Sequence, residues 1–171
     1  MFAQRKLPYQ PRSTPGARSG YRLAPIRARA GLAMRRAMSF GAMPDAEAVL
    51  RASGLSLAPV SVGDEGLSVG GTSILATASP ADIDSGALKA LVVPAGNVDE
   101  TSQAALDDLI IRAGTKGAPV FAFGEGVATT LRALGKPTGP YRESVAVVVT
   151  GDTVESLADT SALAVAAGRV G

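Results

Sequence analysis

Short apolar runs alternate with amphipathic stretches along residues 43–171. Residues 90–93 and 119–123 are continuously apolar, a pattern typical of strands covered on both faces in a parallel sheet. In residues 101–113 the apolar positions follow the spacing i, i+3, i+4, i+7, which predicts an amphipathic helix. A buried strand, a helix and another buried strand in this order predict an α/β fold with right-handed crossovers.

Capping and turn residues mark the ends of the other predicted elements. Asp45 is suited to cap a helix that Gly54 ends, and Ser79 followed by Pro80 is typical of a helix start. Gly114 is predicted to end the amphipathic helix. The remaining predicted elements are helices over residues 45–53, 127–134 and 161–167, and strands over residues 55–62, 67–69, 72–76 and 144–150.

The basic residues are concentrated at the start of the chain. Residues 1–44 hold nine Arg or Lys and no carboxylate, whereas the rest of the chain holds 8 basic and 15 acidic residues. Residues 1–42 are also rich in proline and show no apolar periodicity until about Ala30. They are therefore predicted to form a disordered basic leader before a domain over residues 43–171, with Arg35-Arg36 as a charged pair in that leader.

Four interpretations of the leader remain open. It is an artefact of a wrong start site or a frame shift in GC-rich DNA, a passive tail, an organellar transit peptide, or a basic arm for nucleic acid or anionic lipid. No apolar run approaches the ~20 residues that span a bilayer, so no membrane association and a cytoplasmic location are expected. Outside the leader, nucleic acid is not an expected partner.

The composition excludes whole classes of reaction, because the chain contains no cysteine and no histidine. Cysteine nucleophiles, Ser-His-Asp triads, disulfides, and zinc sites built on thiolate or imidazole are all ruled out. A general acid or base would have to be Asp, Glu, Lys or Tyr with a pKa shifted by its surroundings. Asp107-Asp108 is interpreted as a solvated helix face, and we expect no metal and no cofactor.

The segment of greatest chemical interest runs from Val120 to Val127, where a predicted strand turns through Gly124-Glu125-Gly126 into a helix. Ligands of open α/β sheets bind beyond the carboxyl ends of the strands, so this turn lies where a site is expected. In such elbows the central residue projects its side chain into the pocket. Here that residue is glycine, which has no side chain to project.

This elbow resembles that of the ThiJ/PfpI superfamily, relatives of class I glutamine amidotransferases. In that family a strand ends in a nucleophilic cysteine, often followed by histidine and glycine. Gly124 matches the cysteine and Glu125 the histidine, and Pro94-Ala95-Gly96 is similar to a Pro-Gly-Gly turn that helps to bind an oxyanion. Residues 147–153 and 161–164 are similar to the family's late strand and final helix, so the resemblance covers roughly residues 45–171.

The resemblance implies a flavodoxin-like three-layer sandwich with a mostly parallel sheet, similar to class I glutamine amidotransferases. The family opens with a central strand that carries a buried glutamate, and no comparable carboxylate precedes Asp45. That strand is therefore predicted to be missing or replaced, either by residues 30–40 or by a partner chain. The connection over residues 136–143 also holds no histidine, so nucleophile, tuning acid and base are all absent.

We therefore interpret the chain as a non-catalytic ThiJ/PfpI-like domain, a pseudoenzyme, that binds a small ligand or a partner. One alternative is a thiol-independent hydrolase or lyase that uses Glu125, and another is the sensor domain of a transcription regulator. Glu125 is the single catalytic candidate, although a carboxylate that stabilises the first helical turn is the simpler interpretation. A homodimer is implied by the resemblance. The candidate oxyanion-binding or ligand-binding residues are Ala95, Gly96, Gly124, Gly126 and Val127.

Overall fold

The computed structural model describes residues 28–62, 66–69, 72–97 and 100–170. The strands are β1 (Ala28–Ala33), β2 (Arg36–Ser39), β3 (Leu55–Val60), β4 (Gly66–Val69), β5 (Thr72–Leu75), β6 (Ala90–Val93), β7 (Ala95–Asn97), β8 (Val120–Phe123), β9 (Ala146–Thr150) and β10 (Thr153–Ser156). The helices are α1 (Ala46–Ala52), α2 (Pro80–Asp84), α3 (Glu100–Thr115), α4 (Gly126–Ala133) and α5 (Thr160–Gly168), with a 3-10 turn at Gly139–Tyr141.

Six strands form one mixed sheet in the order β10-β9-β8-β6-β1-β3. Strands β3, β1, β6 and β8 run parallel, whereas β9 and β10 are antiparallel to their neighbours. Two small antiparallel pairs, β2 with β7 and β4 with β5, lie outside this sheet. The predicted α/β fold with a mostly parallel sheet is confirmed.

Strand β1 lies in the middle of the sheet, at the position predicted to be missing or replaced. Ala30 is in register with Leu57 of β3 on one side and with Ala90 of β6 on the other. Residues 28–33 belong to the segment assigned to the leader, so the fold includes residues before 43 and that boundary is corrected. Of the two predicted replacements for the strand, the one within this chain agrees with the structure, although the strand begins at Ala28 and not at residue 30. The pattern was hard to see because β1 is short and contains Arg29 and Gly31. Residues 1–27 lie outside the described residues.

Helices cover both faces of the sheet. Helices α1 and α5 pack on the face that carries Phe121 and Phe123, and both phenylalanines are fully buried there, as expected for core residues. Helices α2, α3 and α4 pack on the opposite face, against Val120 and Ala122 of the same strand. Alternate residues of β8 thus pack into two separate apolar cores, one on each face of the sheet. A continuous apolar run predicts this arrangement for a strand in a three-layer fold.

Helix α3 extends beyond the position at which it was predicted to end. Gly114 lies inside α3, and the chain turns at Gly117, whose φ is +72°. A Cβ added to Gly114 would lie 2.6 Å from Leu134 Cδ2. Glycine at this position therefore permits the close approach of α3 to the end of α4, and it is not a helix stop.

No described helix has the length and apolar character needed to cross a bilayer.

Replacing Gly31 by valine tests the position of β1. A Cβ at Gly31 would lie 3.0 Å from Val60 and 3.1 Å from Leu88, so the larger side chain has no free space. We expect Gly31→Val to lower the free energy of unfolding by about 1–3 kcal/mol in urea titrations. The control is Ala28→Val, at the half-buried start of the same strand. Equal stability of the two variants would show that β1 does not lie between β3 and β6.

Candidate functional site

The strand-to-helix elbow predicted at Gly124 is present. Strand β8 ends at Phe123, Gly124 has a left-handed φ of +54°, and α4 begins at Gly126. The Gly124 N–H donates to the Val145 carbonyl at 3.1 Å, and the Val127 N–H donates to the Gly124 carbonyl at 3.1 Å. The chain therefore reverses within two residues, and glycine is favoured at the corner because a left-handed φ strains other residues.

The elbow packs directly against the turn that joins β6 to β7. A Cβ added to Gly124 would lie 3.0 Å from the Ala95 Cβ, and one added to Gly126 would lie 2.7 Å from the Val93 carbonyl oxygen. A side chain at position 124 would therefore meet the Ala95 methyl group more closely than an ordinary van der Waals contact allows. The elbow has the expected shape, but it presents no side chain at its corner.

A third segment, the loop after β2, also contacts the elbow. Gly41 has a φ of +59°, and a Cβ added there would lie 3.5 Å from the Gly124 Cα. Beside it, the ring of Phe40 meets Phe123 edge to face, with centroids 5.0 Å apart and an angle of 86° between the ring planes. The loop after β2 therefore packs against one side of the elbow, and the sequence pattern before Asp45 gave no sign of these contacts.

The predicted ligand-binding residues Ala95, Gly124 and Gly126 are brought together, but two of the backbone donors at the elbow are engaged. The N–H groups of Gly124 and Val127 both donate to carbonyls within the protein. The Gly96 carbonyl accepts a hydrogen bond from a buried side chain. The two bonded amides are thus not free to bind an oxyanion, and a ligand role for these five positions stays a prediction.

Arg35 is the buried side chain that binds the turn between β6 and β7, and this role was not predicted from the sequence. It is only 5% exposed. Its Nη1 donates to the Pro94 carbonyl at 2.7 Å and its Nη2 to the Gly96 carbonyl at 2.9 Å. The interpretation of Arg35 as part of a charged pair in a leader is therefore wrong. The signal that could have found it was its place within residues 30–40, the segment predicted as one possible replacement for the central strand.

Burial sets the electrostatics of Arg35. Desolvation lowers the pKa of its guanidinium group, and the Glu125 carboxylate acts in the opposite direction. Its Nε is buried without a hydrogen-bond partner among the described residues. Arg35 therefore places a desolvated positive charge behind the elbow, and its strongest contacts are backbone carbonyls.

A cleft of about 530 Å³ opens beside the elbow, between α4 and the segment over residues 138–145. Its α4 wall is formed by Val127, Ala128 and Leu131. The facing segment contributes polar and charged residues, and Glu125 lines the same cleft. The absence of histidine was the only feature of this segment noted from the sequence, and its place in the wall of a site was not predicted. The full set of lining residues is Ala42, Gly124, Glu125, Val127, Ala128, Leu131, Thr138, Tyr141, Arg142, Glu143, Ser144 and Val145.

Acidic residues elsewhere have partners in the fold. Asp107 accepts a hydrogen bond from Gln103 at 2.7 Å, and Asp108 accepts one from Arg112 at 2.7 Å, so both are engaged on the surface of α3. Within the described part of the chain, no group of three or more acidic side chains is placed to hold a metal ion.

With this geometry in view, the chain can be compared with known proteins. No family model and no curated protein matches it. Toxoplasma gondii DJ-1 in its oxidized form is 18% identical with a TM-score of 0.54, covering 82% of this chain and 86% of that one. Drosophila melanogaster DJ-1beta is 17% identical with a TM-score of 0.51, covering 83% and 87%.

An AraC family transcriptional regulator from Pseudomonas putida is 22% identical with a TM-score of 0.49 and matches 63% of this chain. The chain spans only 62% of the length of that regulator. The structural neighbours thus include proteins of the DJ-1/ThiJ/PfpI superfamily, and the predicted class I glutamine amidotransferase-like fold is confirmed.

Replacing Gly124 by alanine separates backbone strain from crowding at the elbow. Gly135 is a matched control, because its φ of +69° is similar and an added Cβ would meet nothing within 4 Å. We expect Gly135→Ala to cost about 1–2 kcal/mol of unfolding free energy from the left-handed conformation alone. Gly124→Ala should cost about 1–3 kcal/mol more, because its methyl group meets that of Ala95.

The double variant Ala95→Gly/Gly124→Ala should recover this additional loss, as measured by a double-mutant cycle in denaturant. If Gly124→Ala is no less stable than Gly135→Ala, Ala95 does not fill the position of the missing side chain.

Replacing Arg35 tests whether it holds the turn between β6 and β7. Arg35→Met leaves two carbonyl oxygens without their donors, so we expect a loss of about 2–5 kcal/mol in unfolding free energy. Arg35→Lys should recover little, because a single ammonium group lacks the fork geometry that reaches two carbonyls. The control is Arg132→Met on the exposed side of α4. A loss no greater than that of the control would rule out this role.

Proposed function

We propose that this chain is a non-catalytic domain with the DJ-1-type fold that binds a small molecule in the cleft beside the elbow. One observation carries the proposal: glycine occupies the elbow position that the resemblance assigns to the nucleophile, and a Cβ added there would lie only 3.0 Å from the Ala95 Cβ. The elbow itself therefore offers no side chain with which to form a covalent intermediate.

The remaining cleft supports a binding role. Its volume of about 530 Å³ falls within the range of small-molecule sites, and it combines an apolar wall with a few polar groups. Such a combination provides both affinity, through burial of apolar surface, and orientation, through hydrogen bonds and charges.

The alternative functions use the same cleft. A hydrolase or lyase would depend on Glu125, but this carboxylate is exposed and its side chain makes no capping hydrogen bond at the start of α4. General-base catalysis needs a group held in a defined position, so this arrangement favours binding over turnover. The sensor domain of a regulator would also bind its ligand here and is a special case of this proposal. The homodimer and the cytoplasmic location stay predictions.

Filling the cleft with a large side chain tests the proposal. A fragment library of small cations, anions and neutral molecules would be screened by thermal unfolding. A fragment at ten times its Kd stabilises the protein by about 1.4 kcal/mol, which raises Tm by about 3–6 °C. We expect such hits with the native chain and their loss in Ala128→Phe, because Ala128 lies on the cleft wall.

The matched control is Ala104→Phe, at an exposed position of α3 away from the cleft, which should keep the hits. A library that stabilises the native chain no more than the Ala128→Phe variant would contradict binding in this cleft.

A further inference from the structure

We infer that residues 137–143, which we call the strap, form a movable wall of the cleft that opens to admit a ligand and closes over it. The side chain of Tyr141 holds the strap in its closed position. This inference rests on the proposed binding function and adds how access to the cleft is controlled. It follows from the hydrogen bonds, the burial and the packing of the strap.

The strap is fixed at both ends. At its start, the Lys136 N–H donates to the Leu131 carbonyl of α4 at 2.8 Å. Directly after its end, the Ser144 hydroxyl group lies 2.8 Å from that of Ser156 in β10, within hydrogen-bond distance. The ends are therefore tied to α4 and to the edge of the sheet, and movement is confined to the residues between them.

Between these ends the strap makes hydrogen bonds only to itself and to Ser144, as far as the described residues show. The Tyr141 N–H donates to the Thr138 carbonyl, the Arg142 N–H to the Gly139 carbonyl, and the Ser144 N–H to the Tyr141 carbonyl. No strap residue is fully buried, and a Cβ added to Gly139 would meet nothing within 4 Å. Segments with local hydrogen bonds and little burial open at a low cost in free energy.

Tyr141 provides the main contact between the strap and the rest of the domain. Its half-buried side chain packs against the apolar core on the face of the sheet that α2, α3 and α4 cover. Apart from Thr138, the other strap residues are exposed. Pro137 and Pro140 restrict the backbone, so the strap is expected to move as a unit. Docking and undocking of one ring therefore define two states of the strap.

The same ring connects the strap to a bound ligand. Tyr141 lines the cleft opposite Val127 and Ala128 of α4, so a molecule between these walls contacts both of them. Such a molecule has more apolar contact in the closed state than in the open state. A ligand that binds one state more tightly shifts the equilibrium toward that state. Binding therefore favours closure, and release requires Tyr141 to undock.

Cysteine labelling tests this movement without a ligand, because the chain contains no cysteine and each variant then carries a single thiol. Val127→Cys places the thiol on the cleft wall, where the native side chain is 4% exposed. Two controls bracket it: Ala104→Cys on the exposed side of α3 and Val92→Cys, fully buried in β6. The full chain of each variant would react with a chromogenic disulfide reagent while the absorbance is followed.

We expect Val127→Cys to react about tenfold or more slowly than Ala104→Cys, because the closed strap covers it. It should also react about tenfold or more faster than Val92→Cys, which is reached only by general unfolding. Low concentrations of urea should leave the Val127→Cys rate nearly unchanged and accelerate Val92→Cys, because the effect of urea grows with the surface exposed on opening.

Two substitutions in the Val127→Cys background identify the group that holds the strap. Tyr141→Ala should accelerate labelling about tenfold, because the packing of a half-buried aromatic ring is lost. Tyr141→Phe keeps the ring and should leave the rate unchanged. Val92→Cys combined with Tyr141→Ala should remain the slower of the two thiols, which shows that the Tyr141→Ala chain is folded.

Three results would each overturn the inference. A Val127→Cys rate equal to that of Ala104→Cys would show that the strap does not close. A rate and urea dependence equal to those of Val92→Cys would show that it does not open in the folded chain. A rate that Tyr141→Ala leaves unchanged would show that this ring does not hold it. All three leave binding itself to be decided by the fragment screen and the Ala128→Phe variant.

Discussion

The close approach of the elbow to the turn between β6 and β7 is the constraint on which the site depends. Gly126 leaves no room for a side chain against the Val93 carbonyl, and Gly124 meets the methyl group of Ala95. Two backbone segments can pack this closely only where side chains are absent from one of them. The same contact that defines the elbow therefore also disfavours any side chain at its corner.

Arg35 extends this constraint to the middle of the sheet. It follows β1, the strand between β3 and β6, and donates to carbonyls on both sides of Ala95. A buried guanidinium group is costly to desolvate, so its retention is best explained by the two carbonyls that it satisfies. Strand β1, Arg35, the turn and the elbow thus form one connected unit, and the cleft lies at its outer edge.

The sequence pattern was sufficient to predict most of the fold and the elbow, because long apolar runs and glycine-bounded turns are local signals. Strands β6 and β8 and helix α3 were recognisable from residues close together in the chain. Strand β1 was predicted only as one of two alternatives, within residues 30–40, since it is short, contains Arg29 and Gly31, and follows a basic segment. Arg35 and the charged wall of the cleft were missed for a different reason: their roles depend on contacts between residues that are distant in sequence.

The account holds that the cleft binds without performing chemistry, and turnover is the most direct test of that claim. The purified chain would be incubated with small carbonyl compounds and amides in the absence of thiols, beside the Glu125→Gln variant, and the substrates followed by NMR. We predict that every compound is recovered unchanged with both proteins. Conversion that requires the protein and is lost in Glu125→Gln would contradict the non-catalytic account and assign Glu125 a catalytic role.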